Sequence, residues 1–138
     1  MTSALLLREP HLGRILNGTK TWEIRGSRTQ YRGRLVLARS GSGLLIGECR
    51  LIDVKGPLSL DDLTTSPCLP PEQRDVARSE GVEPYRDKAG NSRTFAWVLS
   101  SPVVYEAPIP YRHPQGAVIF VKLSEDNTPE WFRLKSNP

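Results

Sequence analysis

The sequence predicts an α+β domain, a small β-barrel of about six short strands with short peripheral helices. Short apolar segments of strand character recur along the chain and are separated by turn residues, with 11 glycines and 12 prolines among 138 residues. The length is that of a single domain, which we expect to have a core over roughly residues 4–123 and a C-terminal tail over residues 124–138.

The first predicted elements are a strand, a helix and a second strand. Residues 5–7 are leucines that suit a short strand, and Pro10 suits the first turn of a helix with Leu12 and Ile15 on one side. Gly18 ends this helix, because the residue just past a helix C-terminus is often left-handed and glycine tolerates that conformation best. Residues 21–25 alternate between polar and apolar side chains, which predicts a strand.

Two longer strands and two helical segments make up the middle of the chain. The strands are predicted over residues 34–39 and 44–54, and Ser40-Gly41-Ser42-Gly43 is the flexible turn between them. The helical segments are residues 59–63 and residues 71–80, the second of which is closed by Gly81.

The last third of the chain returns to strand character after a polar loop. Residues 81–93 include Gly90 and Asn91, which predicts a mobile surface loop that is able to cover a site. Pro102 separates the next two strands, and residues 108–114 form an irregular corner before the last one. The three strands are predicted over residues 95–99, 103–107 and 117–123.

The composition bounds the function classes. Nineteen Lys and Arg residues against 15 Asp and Glu give a net charge of +4, which favours anionic partners, nucleic acid above all, bound in a salt-sensitive way. The chain has no run of about 18 apolar residues that would span a bilayer, and its N-terminus lacks the pattern of a signal peptide. We therefore expect a cytoplasmic protein with no membrane association.

Cysteine and histidine usage argues against a metal or cofactor. Cys49 and Cys68 are the only cysteines, and without a secretory context we expect two free thiols. His11 and His113 are the only histidines, so no paired spacing resembles a zinc site, and P-loop and dinucleotide fingerprints are missing. We interpret His11 as a surface or packing residue and His113 as a solvated loop residue.

Residues 18–25, reading Gly-Thr-Lys-Thr-Trp-Glu-Ile-Arg, form the most informative segment. The alternation places Glu23 and Arg25 on one face of the strand and Trp22 and Ile24 on the other. We expect the apolar face to contact the core and the charged face to line a cleft.

Each charged residue of this segment has two interpretations. Lys20 is either a base or nucleophile whose pKa is lowered by burial near arginines, or a point charge that contacts phosphate. Glu23 is a general acid or base or a nucleobase acceptor, or it forms an ion pair with Lys20 or Arg25. Arg25 offers a planar fork to phosphate or to a base edge, or uses the same geometry to pair with Glu23.

Further candidates for nucleic-acid contacts lie around this segment. Arginines cluster beside it, exposed tyrosines offer rings on which a base stacks, and a serine next to the glycine turn either donates to phosphate or serves the turn alone. The candidate wall residues are Arg28, Tyr31, Ser40, Tyr111 and Gln115, with Tyr85 as a further stacking candidate.

The spacing Gly18-x-Lys20-x-x-Glu23-x-Arg25 resembles the signature of the ASCH domain (activating signal cointegrator homology) family, which is related to PUA-like RNA-binding barrels. Other segments resemble the family in the expected order, and the resemblance spans roughly residues 4–123. These segments are residues 6–10, 31–40, 95–99, 108–111 and 115–116.

The resemblance implies a PUA-like barrel with a cleft around the signature and a role in binding RNA or single-stranded nucleic acid. Some bacterial members are enzymes: one branch is an N4-acetylcytidine amidohydrolase that uses a lysine, a threonine and a glutamate, and another shows ribonuclease activity. The lysine corresponds to Lys20, whereas the threonine position holds Glu23 here. Candidates for the partner glutamate are Glu72, Glu80 and Glu83.

Three hypotheses follow. The first is a basic cleft that binds RNA, a single strand or a modified nucleoside, with Lys20, Glu23 and Arg25 at its floor. The second is a hydrolase that acts on RNA or on acylated cytidine and uses Lys20 and Glu23. The third is a protein-interaction module that uses the tail around Trp131 and Phe132 and the proline-rich loop.

Overall fold

The computed structural model describes residues 2–116, 119–124 and 126–129. Trp131 and Phe132, on which the interaction-module hypothesis depends, lie outside the described residues. Within the described part the chain forms six strands and three helices. In chain order these are β1 (Ser3–Leu7), α1 (His11–Leu16), β2 (Trp22–Arg25), β3 (Gly33–Arg39), β4 (Leu44–Lys55), α2 (Leu60–Thr65), α3 (Pro71–Glu80), β5 (Phe95–Pro110) and β6 (Phe120–Lys122).

All six strands belong to one mixed sheet. Their order is β2-β5-β4-β3-β1-β6, in which β1 and β3 pair in parallel and the other neighbours are antiparallel. The sheet curls into a half-barrel, which confirms the predicted α+β fold of about six strands and short helices. None of the helices in the described residues is long and apolar enough to cross a membrane.

The short helix α1 closes one side of the half-barrel. Its buried residues Leu12 and Ile15 pack into a core cluster with Leu5, Leu37 and Trp97 on the concave side of the sheet. Gly18 has a φ of 85°, so the chain leaves the helix through a left-handed residue, as the sequence predicted. This turn delivers the chain directly into β2.

The strand β3 is buried on both faces. Leu35 and Leu37 contact the cluster under α1, while Val36 and Ala38 contact a second cluster that includes Tyr111. A run of apolar residues whose side chains point alternately to the two faces of the sheet is typical of a strand at the centre of a sheet. The parallel pair of β1 and β3 is therefore the most enclosed part of the fold.

The edge strand β2 lies between the concave core and the α2–α3 pair. Ile24 and the partly buried Trp22 pack against Leu63 and Leu69 beneath these helices. Helix α2 begins at a capping box, in which the Ser59 hydroxyl accepts from the Asp62 N–H and the Asp62 carboxylate accepts from the Ser59 N–H. The apolar face of β2 thus contacts core, and its charged face is turned to the opposite side.

The strand β5 corrects the prediction at the C-terminal end. Pro102 was expected to separate two strands, and residues 108–114 to form an irregular corner, but β5 continues from Phe95 to Pro110. Opposite Pro102 the register with β4 shifts between Glu48 and Arg50, and Ser101 has a φ of 54°. A bulge tolerates proline because the extra residue makes no ladder hydrogen bond, so the strand passes through.

Residues 81–93 form a fastened loop. Its stem is closed by Thr94, which is fully buried and whose Oγ1 accepts from the Tyr85 N–H at 3.1 Å and donates to the Tyr85 carbonyl at 2.9 Å. Further out, an antiparallel bridge joins Arg86 to Ser92. Cys49 and Cys68 are free thiols, as predicted, and burial raises the pKa of Cys49 to about 12.

Candidate functional site

A pocket of about 410 Å³ opens where the charged face of β2 meets α1, α3 and the 81–93 loop. We call it the charged pocket. Its size is that of a site for a small ligand or a single nucleoside. It is lined by Leu6, Leu7, Arg8, His11, Lys20, Glu23, Ile24, Arg25, Ser40, Gln73, Pro84 and Tyr85.

Lys20 lies at the floor of this pocket and is almost fully buried, with 1% of its surface exposed. Its backbone N–H donates to the Arg14 carbonyl at 3.0 Å, which fixes the residue between the end of α1 and the start of β2. The Nζ atom lies 2.8 Å from His11 Nδ1 and 3.3 Å from Glu23 Oε1. A buried ammonium needs such partners to offset its loss of hydration.

Glu23 joins the two cations of the signature. It is 6% exposed, and its Oε2 accepts from Arg25 Nε at 3.0 Å and forms an ion pair with Nη2 at 2.9 Å, while Oε1 contacts Lys20. Arg25 also donates to the Leu6 carbonyl at 3.4 Å and lies over the Trp97 ring at 5.6 Å. Because both carboxylate oxygens are engaged, Glu23 holds the cluster together.

Burial and neighbouring charge set the protonation of the cluster. Burial lowers the pKa of Lys20, and the adjacent Glu23 carboxylate partly offsets that effect. Burial also lowers the pKa of His11, and the positive charge of Lys20 lowers it further. A neutral His11 whose Nδ1 accepts from the Lys20 ammonium is consistent with both directions, and this tautomer carries its proton on Nε2.

The rim of the charged pocket comes from α3 and the 81–93 loop. Gln73 reaches in from α3, and its buried Oε1 has no hydrogen-bond partner among the described residues. Tyr85 and Pro84 form the facing wall. Gly26 allows this arrangement, because a Cβ there would lie only 2.7 Å from Tyr85 Cδ1. The loop predicted to cover a site thus contributes a wall of this one.

Three polar or charged lining residues were absent from the predicted site. His11 was interpreted as a surface or packing residue, yet it contacts Lys20 in the pocket. Arg8 and Gln73 were not considered. Nothing in the local sequence marks these residues, since each reaches the pocket only through the packing of β1, α1 and α3 around β2.

Several predicted wall residues lie elsewhere. Arg28 donates to the Gly56 carbonyl at 2.6 Å and lies 4.9 Å over the Phe95 ring, outside the lining of the pocket. Tyr31 packs on the concave core, with its hydroxyl donating to the Arg34 carbonyl and its ring near Phe120. Neither ring nor guanidinium lines the charged pocket, since local backbone and core contacts hold both.

Ser40 and Tyr111 line an adjoining cavity of about 420 Å³, which we call the glycine-turn cavity. It shares Ser40 with the charged pocket, whereas Tyr111 does not line the charged pocket. Gln115 is exposed in a turn and lines neither cavity. The lining of the glycine-turn cavity is Leu6, Arg8, Ser40, Gly41, Gly43, Tyr111 and His113.

A third cavity, of about 440 Å³, lies on the other side of Gln73, and we call it the apolar cavity. It shares Ile24, Gln73 and Pro84 with the charged pocket, and Glu80 and Glu83 lie in its otherwise mostly apolar lining. The described residues contain no group of three or more His, Cys, Asp or Glu side chains arranged to hold a metal ion.

A curled six-stranded sheet with a charged pocket beside its first helix defines a PUA-like α+β domain. The chain belongs to the ASCH domain family, whose family model matches residues 5–105. This family is generally implicated in binding RNA and other nucleic acids.

Solved structures agree with this assignment. The crystal structure of an ASCH protein from Zymomonas mobilis is similar with a TM-score of 0.57, and a tyrosine-to-phenylalanine and a serine-to-alanine variant of that protein give 0.61 and 0.62. Each is 17% identical to this chain, and the alignments cover 98% of this chain and 94–96% of the others. At this identity the likeness shows the fold. No curated protein matches the chain.

Proposed function

We propose that the charged pocket binds a single nucleobase, presented by single-stranded RNA or as a modified nucleoside. The observation that carries the proposal is the buried cluster of Lys20, Glu23, Arg25 and His11 at the floor of a pocket of about 410 Å³. Because these side chains are held in place before a ligand arrives, they lose little conformational entropy when the ligand binds. Base-specific RNA recognition uses such pockets for bases that are splayed out of the strand.

The polar groups around the pocket suit the edge and the face of a base. The Lys20 ammonium retains donor capacity beyond its contacts with His11 and Glu23, because an ammonium has three hydrogens. The Gln73 amide at the rim adds a group that both donates and accepts, and its Oε1 needs a donor. The Tyr85 ring on the facing wall offers a surface for stacking.

Binding is favoured over amide hydrolysis by the carboxylates that are engaged elsewhere. Both Glu23 oxygens are held by cations. Of the three candidate partner glutamates, Glu72 is 3.8 Å from Arg14, while Glu80 and Glu83 line the apolar cavity. The residue of this region that lines the charged pocket is Gln73, an amide that cannot act as a general base.

A hydrolase acting on RNA or on acylated cytidine is the second candidate function. The observation that favours it is the lowered pKa of Lys20, which burial produces and which brings an amine closer to reactivity at neutral pH. In that reaction Lys20 would be the base or nucleophile, with His11 taking up or returning its proton through Nδ1.

One experiment tests both functions. Binding of single-stranded RNA and of a nucleoside panel that includes N4-acetylcytidine is measured together with product formation, for the wild type and for Lys20→Met. The control is Lys122→Met, which removes the same charge from an exposed position on β6, at the opposite edge of the sheet from β2. Thermal unfolding verifies that each variant is folded.

Binding that Lys20→Met weakens at least about tenfold, without product and with the control unchanged, supports a recognition site. Product that disappears in Lys20→Met supports the hydrolase. Binding that is equal in the folded wild type and in both variants contradicts the assignment of the site to the charged pocket.

A further inference from the structure

The glycine-turn cavity adjoins the charged pocket and has a cation of its own. The two cavities share Leu6, Arg8 and Ser40, so they lie on either side of these residues. We infer that Arg8 and Ser40 bind the phosphate that follows the bound base, and that the next nucleoside of a single strand lies in the glycine-turn cavity. This inference rests on the proposed function.

The sheet places Arg8 and Ser40 side by side. The strands β1 and β3 are parallel, and their last residues, Leu7 and Arg39, are partners in register. The next residues, Arg8 and Ser40, therefore leave the sheet at the same edge, where the Ser40 N–H donates to the Leu7 carbonyl at 2.8 Å.

Arg8 is the cation of this region that carries available charge. Lys20 and Arg25 are held by Glu23, and the nearby Arg39 lies 3.8 Å from Glu9. In the part of the chain that the structure describes, no carboxylate pairs with Arg8, which is exposed at the junction of the two cavities. An unpaired guanidinium facing a cleft is the group that best matches a phosphate in charge and geometry.

Glu9, the acidic neighbour of Arg8, is engaged elsewhere. Its Oε1 accepts from the Gly13 N–H at 2.8 Å, and its Oε2 lies 3.8 Å from Arg39. The carboxylate therefore points to α1 and to β3, and its charge is shared with a different arginine. Arg8 keeps its positive charge for a ligand.

The rest of the glycine-turn cavity suits a nucleoside. Gly41 and Gly43 have φ values of 78° and 68°, a left-handed conformation that favours glycine. Neither residue has a side chain that would fill the cavity. Tyr111 and the exposed His113 line this cavity, and the Tyr111 hydroxyl lies 2.9 Å from His113 Nδ1. Tyrosine and histidine are among the side chains on which RNA-binding proteins stack unpaired bases.

The charges on the two sides of the charged pocket indicate on which side the polynucleotide continues. The apolar cavity is lined by the carboxylates of Glu80 and of Glu83, the latter 3.5 Å from Arg86, and by none of the cations that line the charged pocket. A phosphate entering there would meet like charge, whereas one leaving past Arg8 meets opposite charge. The polynucleotide therefore continues toward the glycine turn.

The test is a competition experiment on the full chain. A labelled short single-stranded RNA is displaced by an equimolar mixture of the four ribonucleosides, by random-sequence ribodinucleotides or by inorganic phosphate. The variants are Arg8→Gln and, as the matched control, Arg32→Gln, which removes one charge from an exposed arginine that lines neither cavity. His113→Ala probes the second nucleoside.

In the wild type we expect dinucleotides to compete about tenfold better than nucleosides, since a hydrogen bond to a charged group typically contributes that factor. Arg8→Gln should remove most of this advantage, because nucleosides lack the phosphate that Arg8 binds, and His113→Ala should reduce it. Arg8→Gln should also lower the slope of log affinity against log salt by about 0.7, the value for one phosphate contact on a single strand.

Other outcomes overturn the inference. Equal weakening of nucleosides and dinucleotides by Arg8→Gln would place Arg8 in base binding, and no weakening would remove it from the site. Inorganic phosphate that competes as well as dinucleotides would reduce the cavity to an anion site without a nucleoside. If RNA binding depends on Lys20 and not on Arg8, the proposed function stands and this inference fails; if the wild type binds neither RNA nor nucleosides, both fail.

Discussion

Replacing Glu23 with glutamine removes the negative charge that offsets Lys20 and Arg25. Arg25 keeps a side-chain exposure of 20% and can regain water, whereas Lys20, at 1%, cannot. Removing one partner of a buried ion pair typically costs about 3–5 kcal/mol, because the other charge is left uncompensated. We therefore expect Glu23→Gln to lower the free energy of unfolding by about 3–5 kcal/mol at pH 7.

In the variant Lys20 can lose its proton instead of staying charged and unpaired. The destabilisation therefore cannot exceed the free energy of deprotonating the lysine, which depends on pH. A pH of 7 is about 3.5 pH units below the ordinary lysine pKa of 10.5. Each pH unit corresponds to about 1.36 kcal/mol, so deprotonation of the lysine costs about 4.8 kcal/mol at this pH. At pH 9 the same step costs about 2 kcal/mol. The destabilisation by Glu23→Gln should therefore shrink by about half between pH 7 and pH 9.

Urea unfolding of the wild type and the variant at both pH values measures this change, with both referred to the same linear extrapolation. The double variant Lys20→Met with Glu23→Gln is the matched control, because it holds no buried charge from this pair. The difference between its free energy of unfolding and that of the wild type should be the same at both pH values. A cost of Glu23→Gln below about 1 kcal/mol at pH 7, or an equal cost at both pH values, would refute the account of the cluster.

Three further predictions concern the surroundings of the cluster. Gly26→Ala would place a Cβ 2.7 Å from Tyr85, so we expect a loss of about 1–3 kcal/mol of stability and weaker RNA binding, measured by unfolding and titration. Because the pKa of His11 lies below 6.5 in the folded state, the unfolded chain binds the proton first on acidification; between pH 7 and 5.5 the wild type should lose up to about 1 kcal/mol more stability than His11→Asn. Thr94→Val removes both side-chain hydrogen bonds between Thr94 and Tyr85 and should cost about 1–3 kcal/mol, with faster amide exchange over residues 85–93; unchanged exchange would contradict the role of Thr94.

Local patterns in the sequence were sufficient to predict β2 and its flanks. Gly18 ends α1 in a left-handed conformation, and the alternation of β2 puts Ile24 toward the α2–α3 pair and Glu23 toward the pocket. These features depend on residues close in sequence, whose periodicity records which face is buried. The ion pairs of Glu23 with Lys20 and Arg25 were among the alternatives for the same reason.

The depth of the pocket and the identity of its other residues depend on packing between distant segments. Lys20 is buried because the turn after α1 brings it back beside that helix, where His11 contacts the ammonium. Gln73 arrives with α3 and Arg8 with β1, and neither lies in a motif. A single polar residue carries no periodic signal, so the sequence does not reveal which polar side chains converge.

The strand β5 shows a different limit of local inference. Pro102 is a reliable breaker in a regular ladder, which led to the prediction of two strands. The bulge that accommodates it arises from the register with β4, in which Glu48 pairs with Val103 and Arg50 with Ser100. That register is fixed by the whole sheet, so no local pattern reports it.

Amide chemical shifts of the labelled wild type, followed while single-stranded RNA is added, locate the ligand residue by residue. They therefore show whether RNA binds in the charged pocket. We expect the largest changes at Lys20, Glu23 and Tyr85, with little change at the exposed Lys122 in β6 on the opposite edge of the sheet. Changes concentrated on β6, or absent from the pocket at saturating RNA, would contradict it.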